Sequence, residues 1–160
     1  MTWKTRVGSP ADEQLLREIT LEAFGRQYEV DYLDALRVDP EVWISCVALA
    51  DEQPVGYAIL TRAFVGDTPL LALSPVAVLP AYQRQGAGDA AVRGVLQLAQ
   101  ERPEPAVVVL GHPEYYPRFG FRPADEFGIR HPQYGGPSLM ALAQGDHAVP
   151  AGPLRFVVEG

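Results

Sequence analysis

Gln83, Arg84, Gln85, Gly86, Ala87, Gly88 and Asp89 stand where a strand-like apolar run, residues 71–79, gives way to a helix-like run, residues 90–100. The first backbone N–H groups of a helix have no intrahelical acceptor and carry the positive end of its dipole, so an anion docks there when no side chain bars the way. Gly86 and Gly88 remove those side chains. No Lys-Ser/Thr pair follows the glycines to meet a terminal phosphate and magnesium, and the third glycine of G-x-G-x-x-G is missing. The loop therefore predicts a pyrophosphate held mainly by backbone. Asp89 suits the helix dipole but repels a phosphate; Arg93, one turn on, is placed to draw it aside as an i,i+4 pair.

The spacing Gln-x-x-Gly-x-Gly resembles the acetyl-coenzyme A signature of the GNAT superfamily of N-acetyltransferases. Tyr115-Tyr116-Pro117-Arg118-Phe119-Gly120-Phe121 resembles its later Phe-Tyr-x-x-x-Gly-Phe element. The run of residues 73–121, with Gly111-His112-Pro113-Glu114 inside it, resembles the YhbS-like branch of small bacterial members. This resemblance implies an α/β (α+β) acyl-CoA N-acyltransferase fold: a mixed, mostly antiparallel sheet of about seven strands, flanked by helices and splayed between strands 4 and 5. It implies one domain over residues 1–160, acetyl-CoA as cosubstrate and no metal.

The same resemblance implies roles. Main-chain groups of Val76, Ala77 and Val78 would hold the pantetheine arm and polarise the acetyl carbonyl, and Gln83, Arg84, Gln85, Gly86, Ala87, Gly88 and Asp89 would hold the pyrophosphate. Tyr116 matches the tyrosine that protonates the leaving thiolate. A phenol suits that task because its pKa, about 10, is close to that of an alkyl thiol. Tyr115 is expected to face the core, with Phe119 and Phe121 packed around Gly120. Some relatives carry a glutamate on the fourth strand facing the acceptor, but Leu71-Ala72-Leu73-Ser74 has no carboxylate. Deprotonation of the acceptor then runs through water or another element. Glu22 and His112 are the titratable candidates, although Glu22 also reads as a solvated helix position and His112-Pro113 as a turn. The implied reaction is acetyl transfer to an amine of a small molecule or peptide. A non-catalytic acyl-CoA-binding or sensing module is the alternative, and Ala72 and Asp89 favour it.

These residues need a scaffold. Residues 2–7 predict a first strand, and Ser9-Pro10-Ala11-Asp12 a helix start with Ser9 as N-cap and Gly25 as the stop. A second helix is expected over residues 30–37. Residues 43–50 and 55–64 predict a hairpin around Asp51-Glu52-Gln53-Pro54, and residues 69–78 a fourth strand. Ala91, Val92, Val95, Leu96 and Ala99 form one helix face, and residues 105–110 a continuous apolar strand buried on both sides. Strand, helix, strand implies a right-handed parallel crossover. Residues 138–143 and 154–158 predict two tail strands, whose pairing is compatible with a homodimer.

Bulk composition narrows the partners. A chain of 160 residues, 48% apolar, supports one core. Its formal charge of −7 and scattered basic residues argue against nucleic acid. Apolar runs stay far below the roughly 20 residues of a membrane span, and the first residues lack a signal-peptide core, so a cytoplasmic protein is expected. The single cysteine, Cys46, fits a reducing compartment and reads as a buried structural thiol. Asp12, Glu13, Glu101 and Glu104 read as solvated charges, and His112, His131 and His147 lack metal-ligand spacing.

Overall fold

Two tight turns set the first half of the sheet. The computed structural model describes residues 3–38 and 40–158, so Thr2, expected in the first strand, lies outside the described residues. Asp51 (φ 48°) and Glu52 (φ 70°) form a two-residue turn in the left-handed region, whose twist matches a hairpin. It joins β2 (Ile44–Ala50) to β3 (Gln53–Val65), so the turn is tighter than the four residues expected. Gly66 (φ 58°) and Asp67 then reverse the chain into β4 (Thr68–Val78).

β1 (Lys4–Val7) pairs antiparallel with β2 at the sheet edge. The helix that follows begins later than Ser9 suggests: Pro10–Asp12 forms a three-ten turn and α1 spans Glu13–Phe24, stopped by Gly25 at φ 72°. Asp12 is buried rather than solvated. Its carboxylate accepts from the Ser9 N–H at 2.8 Å and from both terminal nitrogens of Arg6 at 2.9 Å, and these bonds hold its pKa below the ordinary carboxylate value. α2 (Gln27–Arg37) starts earlier than expected, directly after the Gly25 break.

α3 (Ala87–Ala99) crosses between β4 and β5 (Ala106–Leu110), which run parallel. The predicted face, Ala91, Val92, Val95, Leu96 and Ala99, is buried on the sheet. Val92 and Val95 are fully buried, each worth about 2 kcal/mol of apolar transfer. On β3, Ala58 and Leu60 meet α3 while Tyr57 and Ile59 point to the other face, where Leu16, Ile19 and Leu33 of α1 and α2 cover them. The Tyr57 hydroxyl sits 2.5 Å from Thr20 Oγ1, and burial pushes its pKa up to about 12.

The tail adds β6 (Arg122–Pro123), β7 (Ile129–Arg130), β8 (Leu139–Ala143) and β9 (Gly152–Phe156). The described residues form a nine-stranded sheet ordered β1-β2-β3-β4-β5-β8-β6, with β9 beside the far end of β3 and β7 against β9. Nine strands replace the expected seven because β6 and β7, two residues each, carry no readable alternation. Glu104 is also not solvated. It is 3% exposed and accepts from Arg62 and Arg102 at 2.8 Å. Burial works against its charge, but those two guanidinium bonds outweigh it and bring its pKa down to about 2. No helix among the described residues is long and apolar enough to cross a membrane.

β4 and β5 pair at Leu71↔Val107 and Ala72↔Val108 and then part. The β3 register explains why. Leu60 faces Leu73 but Ala58 faces Val76, so Ser74 and Pro75 both stand against Ile59 as a bulge. A bulge bends its strand, and Pro75 has no N–H to offer a ladder. β4 therefore turns away from β5 and opens the gap expected between them.

Candidate active site

The gap is a cleft of about 640 Å³ bordered by Val76, Val78, the loop after β4, Tyr115, Tyr116 and Arg118. One wall is strand backbone beyond the end of the β4–β5 ladder. Leu79 N–H bonds Val55 O on β3 at 2.8 Å, so by alternation the polar groups of Ala77 also face β3, and those of Val76 and Val78 face the gap. The Gln83 side-chain amide confirms this direction by donating to Val78 O at 3.0 Å. Of the three residues expected to hold the pantetheine arm, Val76 and Val78 turn main-chain groups toward the cleft. Ala77 is turned away, its methyl buried between β3 and α1.

The second wall is the glycine loop. After a three-ten turn at Pro80–Tyr82, Arg84 (φ 64°) and Gly86 (φ 97°) adopt left-handed conformations that lead into α3. The first bond of the helix is Ala90 N–H to Gly86 O at 3.0 Å. Among the described residues, no protein group accepts from the N–H groups of Arg84, Gln85, Gly86, Ala87, Gly88 or Asp89. The loop's shape is fixed from behind. Gln85 donates its side-chain amide to Ala81 O at 3.1 Å, and its own carbonyl accepts from the Trp3 indole N–H at 2.8 Å. Trp3 leaves little space at Gly86, where a Cβ would meet the indole nitrogen at 3.3 Å. Ala87 buries its methyl in the core, leaving only its amide at the loop.

Asp89 does not pair with Arg93, whose guanidinium sits 4.9 Å over the Phe119 ring. Asp89 Oδ1 instead accepts from the Tyr115 hydroxyl at 2.5 Å, and its Oδ2 lies 3.5 Å from Arg118. Tyr115 therefore lines the cleft instead of facing the core. Burial, followed by the Asp89 bond, pushes its phenol far above the ordinary value. Arg118 also sits 4.2 Å over the Tyr115 ring.

Tyr116 lies at the other end of the cleft, on the three-ten turn Tyr116–Phe119 that Gly120 ends at φ 100°. Its ring packs edge-on against Tyr115 at 5.0 Å and Phe121 at 5.9 Å; around the Gly120 turn, Phe121 is buried in the core and Phe119 is half-buried against it. Among the described residues no protein group bonds its hydroxyl, and burial raises its pKa. Gly111 makes room for this ring, since a Cβ there would collide with it. His112 is exposed, 3.9 Å from Glu114, and borders the cleft.

Glu22 does not reach this site. Leu16, Ile19, Thr20 and Ala23 face the sheet, which turns Glu22 to solvent on α1. A carboxylate that shares a cavity with Tyr116 is that of Glu29 on α2: both line an adjoining cavity of about 340 Å³, and Arg26 Nε donates to the Glu29 carboxylate at 2.7 and 3.0 Å. Sequence spacing gave no sign of Glu29 or Trp3, because the turn at Gly25 and a contact 82 residues long place them. Arg118 was readable: it follows Tyr115 by three residues, one turn of a helix. Bare amides at one end and an unengaged phenol at the other can hold an extended anionic ligand and give a proton at its far end.

Known proteins share this frame. Residues 13–121 match the sequence profile described as "Acetyltransferase (GNAT) family". The uncharacterized N-acetyltransferase YjhQ of Escherichia coli K12 is 37% identical over 119 residues, 71% of this chain and 66% of that protein, so the match spans just under two thirds of YjhQ. The uncharacterized N-acetyltransferase YhbS of the same strain is 31% identical over 128 residues, 78% of this chain and 77% of YhbS. The crystal structure of Escherichia coli YhbS in complex with CoA superposes with a TM-score of 0.85 at 28% identity, covering 96% of this chain and 89% of that one. A GNAT family acetyltransferase from Brucella melitensis in complex with acetyl-CoA gives 0.79 at 28% identity, covering 97% and 96%. On the profile match and the YjhQ and YhbS similarities, the chain belongs to the acetyltransferase (GNAT) family.

Proposed function

We propose that residues 1–160 act as one cytoplasmic N-acetyltransferase domain that moves the acetyl group of acetyl-CoA to the amine of a small molecule or peptide. The unclaimed amides of the loop at residues 84–89 and the unengaged Tyr116 hydroxyl, on one cleft that Arg84, Gly86, Gly88, Asp89 and Tyr116 line, carry this reading. The complexes of the YhbS and Brucella proteins with CoA and acetyl-CoA support it.

Acetyl-CoA supplies an activated thioester carbonyl. The amides of residues 84–89, with Arg84 and Arg118, hold the diphosphate, while Asp89 is occupied by Tyr115 and Arg118. Val76 and Val78 offer main-chain groups to the pantetheine arm and the carbonyl. Tyr116 gives its proton to the departing thiolate, and the amine loses its proton through water toward Glu29. Holding both reactants in one gap lowers the entropic part of the barrier.

Free-thiol release from acetyl-CoA across a panel of amines, with calorimetric titration of acetyl-CoA alongside, tests this. Saturable binding with amine-dependent thiol release is expected. Binding without release from any amine would establish the second reading, an acyl-CoA-binding or sensing module, which the lack of a carboxylate on β4 favours. Absence of binding would reject both, since ligand at 100 times Kd should stabilise the fold by about 2.7 kcal/mol.

A further inference from the structure

Past the Tyr116 phenol the gap continues. The 340 Å³ cavity shares Val76, His112 and Tyr116 with the coenzyme cleft, and a further cavity of about 250 Å³ shares Tyr32, Leu73, Ser74 and Leu110 with it. The chemistry of the walls changes along this path. The cleft carries Arg84, Asp89 and Arg118, and the middle cavity carries Glu29. The last cavity presents the rings of Tyr28, Tyr134 and Phe156 over an aliphatic floor, with no carboxylate, ammonium, guanidinium or imidazole among the side chains of the described residues that line it. The Tyr134 ring is held flat by His131, stacked at 4.6 Å.

The rim repeats the pattern. Phe24, Tyr28 and Leu110 line these cavities and are 43%, 56% and 42% exposed. Large apolar side chains kept in water around one opening mark a surface that an apolar ligand covers. Three aromatic faces and an aliphatic floor give a flat apolar ring stacking and dispersion contacts, while the few hydroxyls, those of Tyr28, Tyr32, Tyr134 and Ser74, offer a polyhydroxylated group fewer partners than water does.

We propose, on the strength of the transferase reading above, that the acceptor is an arylalkylamine. Its ring lies among Tyr28, Tyr134 and Phe156, and its amine lies toward Ser74 and Glu29. The ring group, not the amine's charge, then selects the substrate.

The full chain is assayed for thiol release from acetyl-CoA with phenethylamine, spermidine and glucosamine, and each amine is titrated calorimetrically into the CoA-loaded protein. Phenethylamine is expected to show a kcat/KM and an affinity at least tenfold above the other two. Tyr28→Ala, at an exposed position that does not threaten folding, should raise KM for phenethylamine at least threefold with kcat retained. Tighter phenethylamine binding with no thiol release would uphold the pocket assignment and remove the transferase reading. Equal or faster release with spermidine or glucosamine would do the reverse, and phenethylamine binding no tighter than the others would also overturn the assignment.

Discussion

The Tyr115 hydroxyl donates to Asp89 at 2.5 Å across the neck of the cleft, joining the turn after β5 to the first turn of α3. An acid at a phosphate-binding helix start would repel its ligand; this bond and Arg118 at 3.5 Å spread its charge away from the loop amides. Tyr115→Phe is expected to weaken acetyl-CoA binding about fivefold, close to 1 kcal/mol. Adding Asp89→Asn should restore most of that loss. Calorimetry on the single and double variants measures the coupling.

Tyr116→Phe should lower kcat at least tenfold and leave acetyl-CoA affinity nearly unchanged. The acid form must be present for turnover, and burial lifts this phenol above its ordinary pKa of 10. The alkaline loss of kcat that belongs to Tyr116 therefore falls beyond pH 10. A pH–rate profile in which kcat drops through neutral pH would assign that proton to another group.

Gly111→Ala presses a methyl group into the Tyr116 ring. Overpacking of this kind costs about 1–3 kcal/mol. A ring displaced from its packing against Tyr115 and Phe121 carries its hydroxyl with it, so kcat should fall severalfold at little change in amine KM. Steady-state kinetics beside a urea melt separates displaced chemistry from lost fold.

Glu29→Gln should lower kcat/KM at least tenfold at pH 7.5. The deficit should shrink above pH 9, where more of the amine is already neutral. A constant ratio across pH would leave Glu29 with a positional role only.

Glu104 predicts an acid limb in stability. Its folded pKa, about 2, lies below the ordinary 4.5, so its contribution is present above pH 5 and is lost as pH falls toward 2. That contribution is on the order of 3 kcal/mol. Glu104→Gln should destabilise by about 2–3 kcal/mol at pH 7, since it leaves the largely buried Arg62 with only the exposed Glu41 carboxylate, 3.6 Å away, as its counter-charge. It should also flatten the pH dependence in denaturant titrations.

Local rules located the glycine loop, α3, the buried β5 and the Gly25 stop, because each depends on residues within a turn or two. The pair of tail strands was readable from apolar runs, but β6 and β7 are too short to alternate. Charges misled where partners come from afar. Arg62 reaches Glu104 from β3, and Tyr115 reaches Asp89 from 26 residues on. Glu22 and Glu29 sit on successive helices, and only the angle at Gly25 decides which one meets the gap.

The indole of Trp3, bonded to the carbonyl of Gln85, gives the anion loop a built-in optical reporter. The chain has two tryptophans, and Trp43 lies far along the fold beneath Arg37, at 4.0 Å. Indole emission from a Trp43→Phe protein would come from Trp3 alone. Its wavelength would follow loop ordering during titration, with no dye attached.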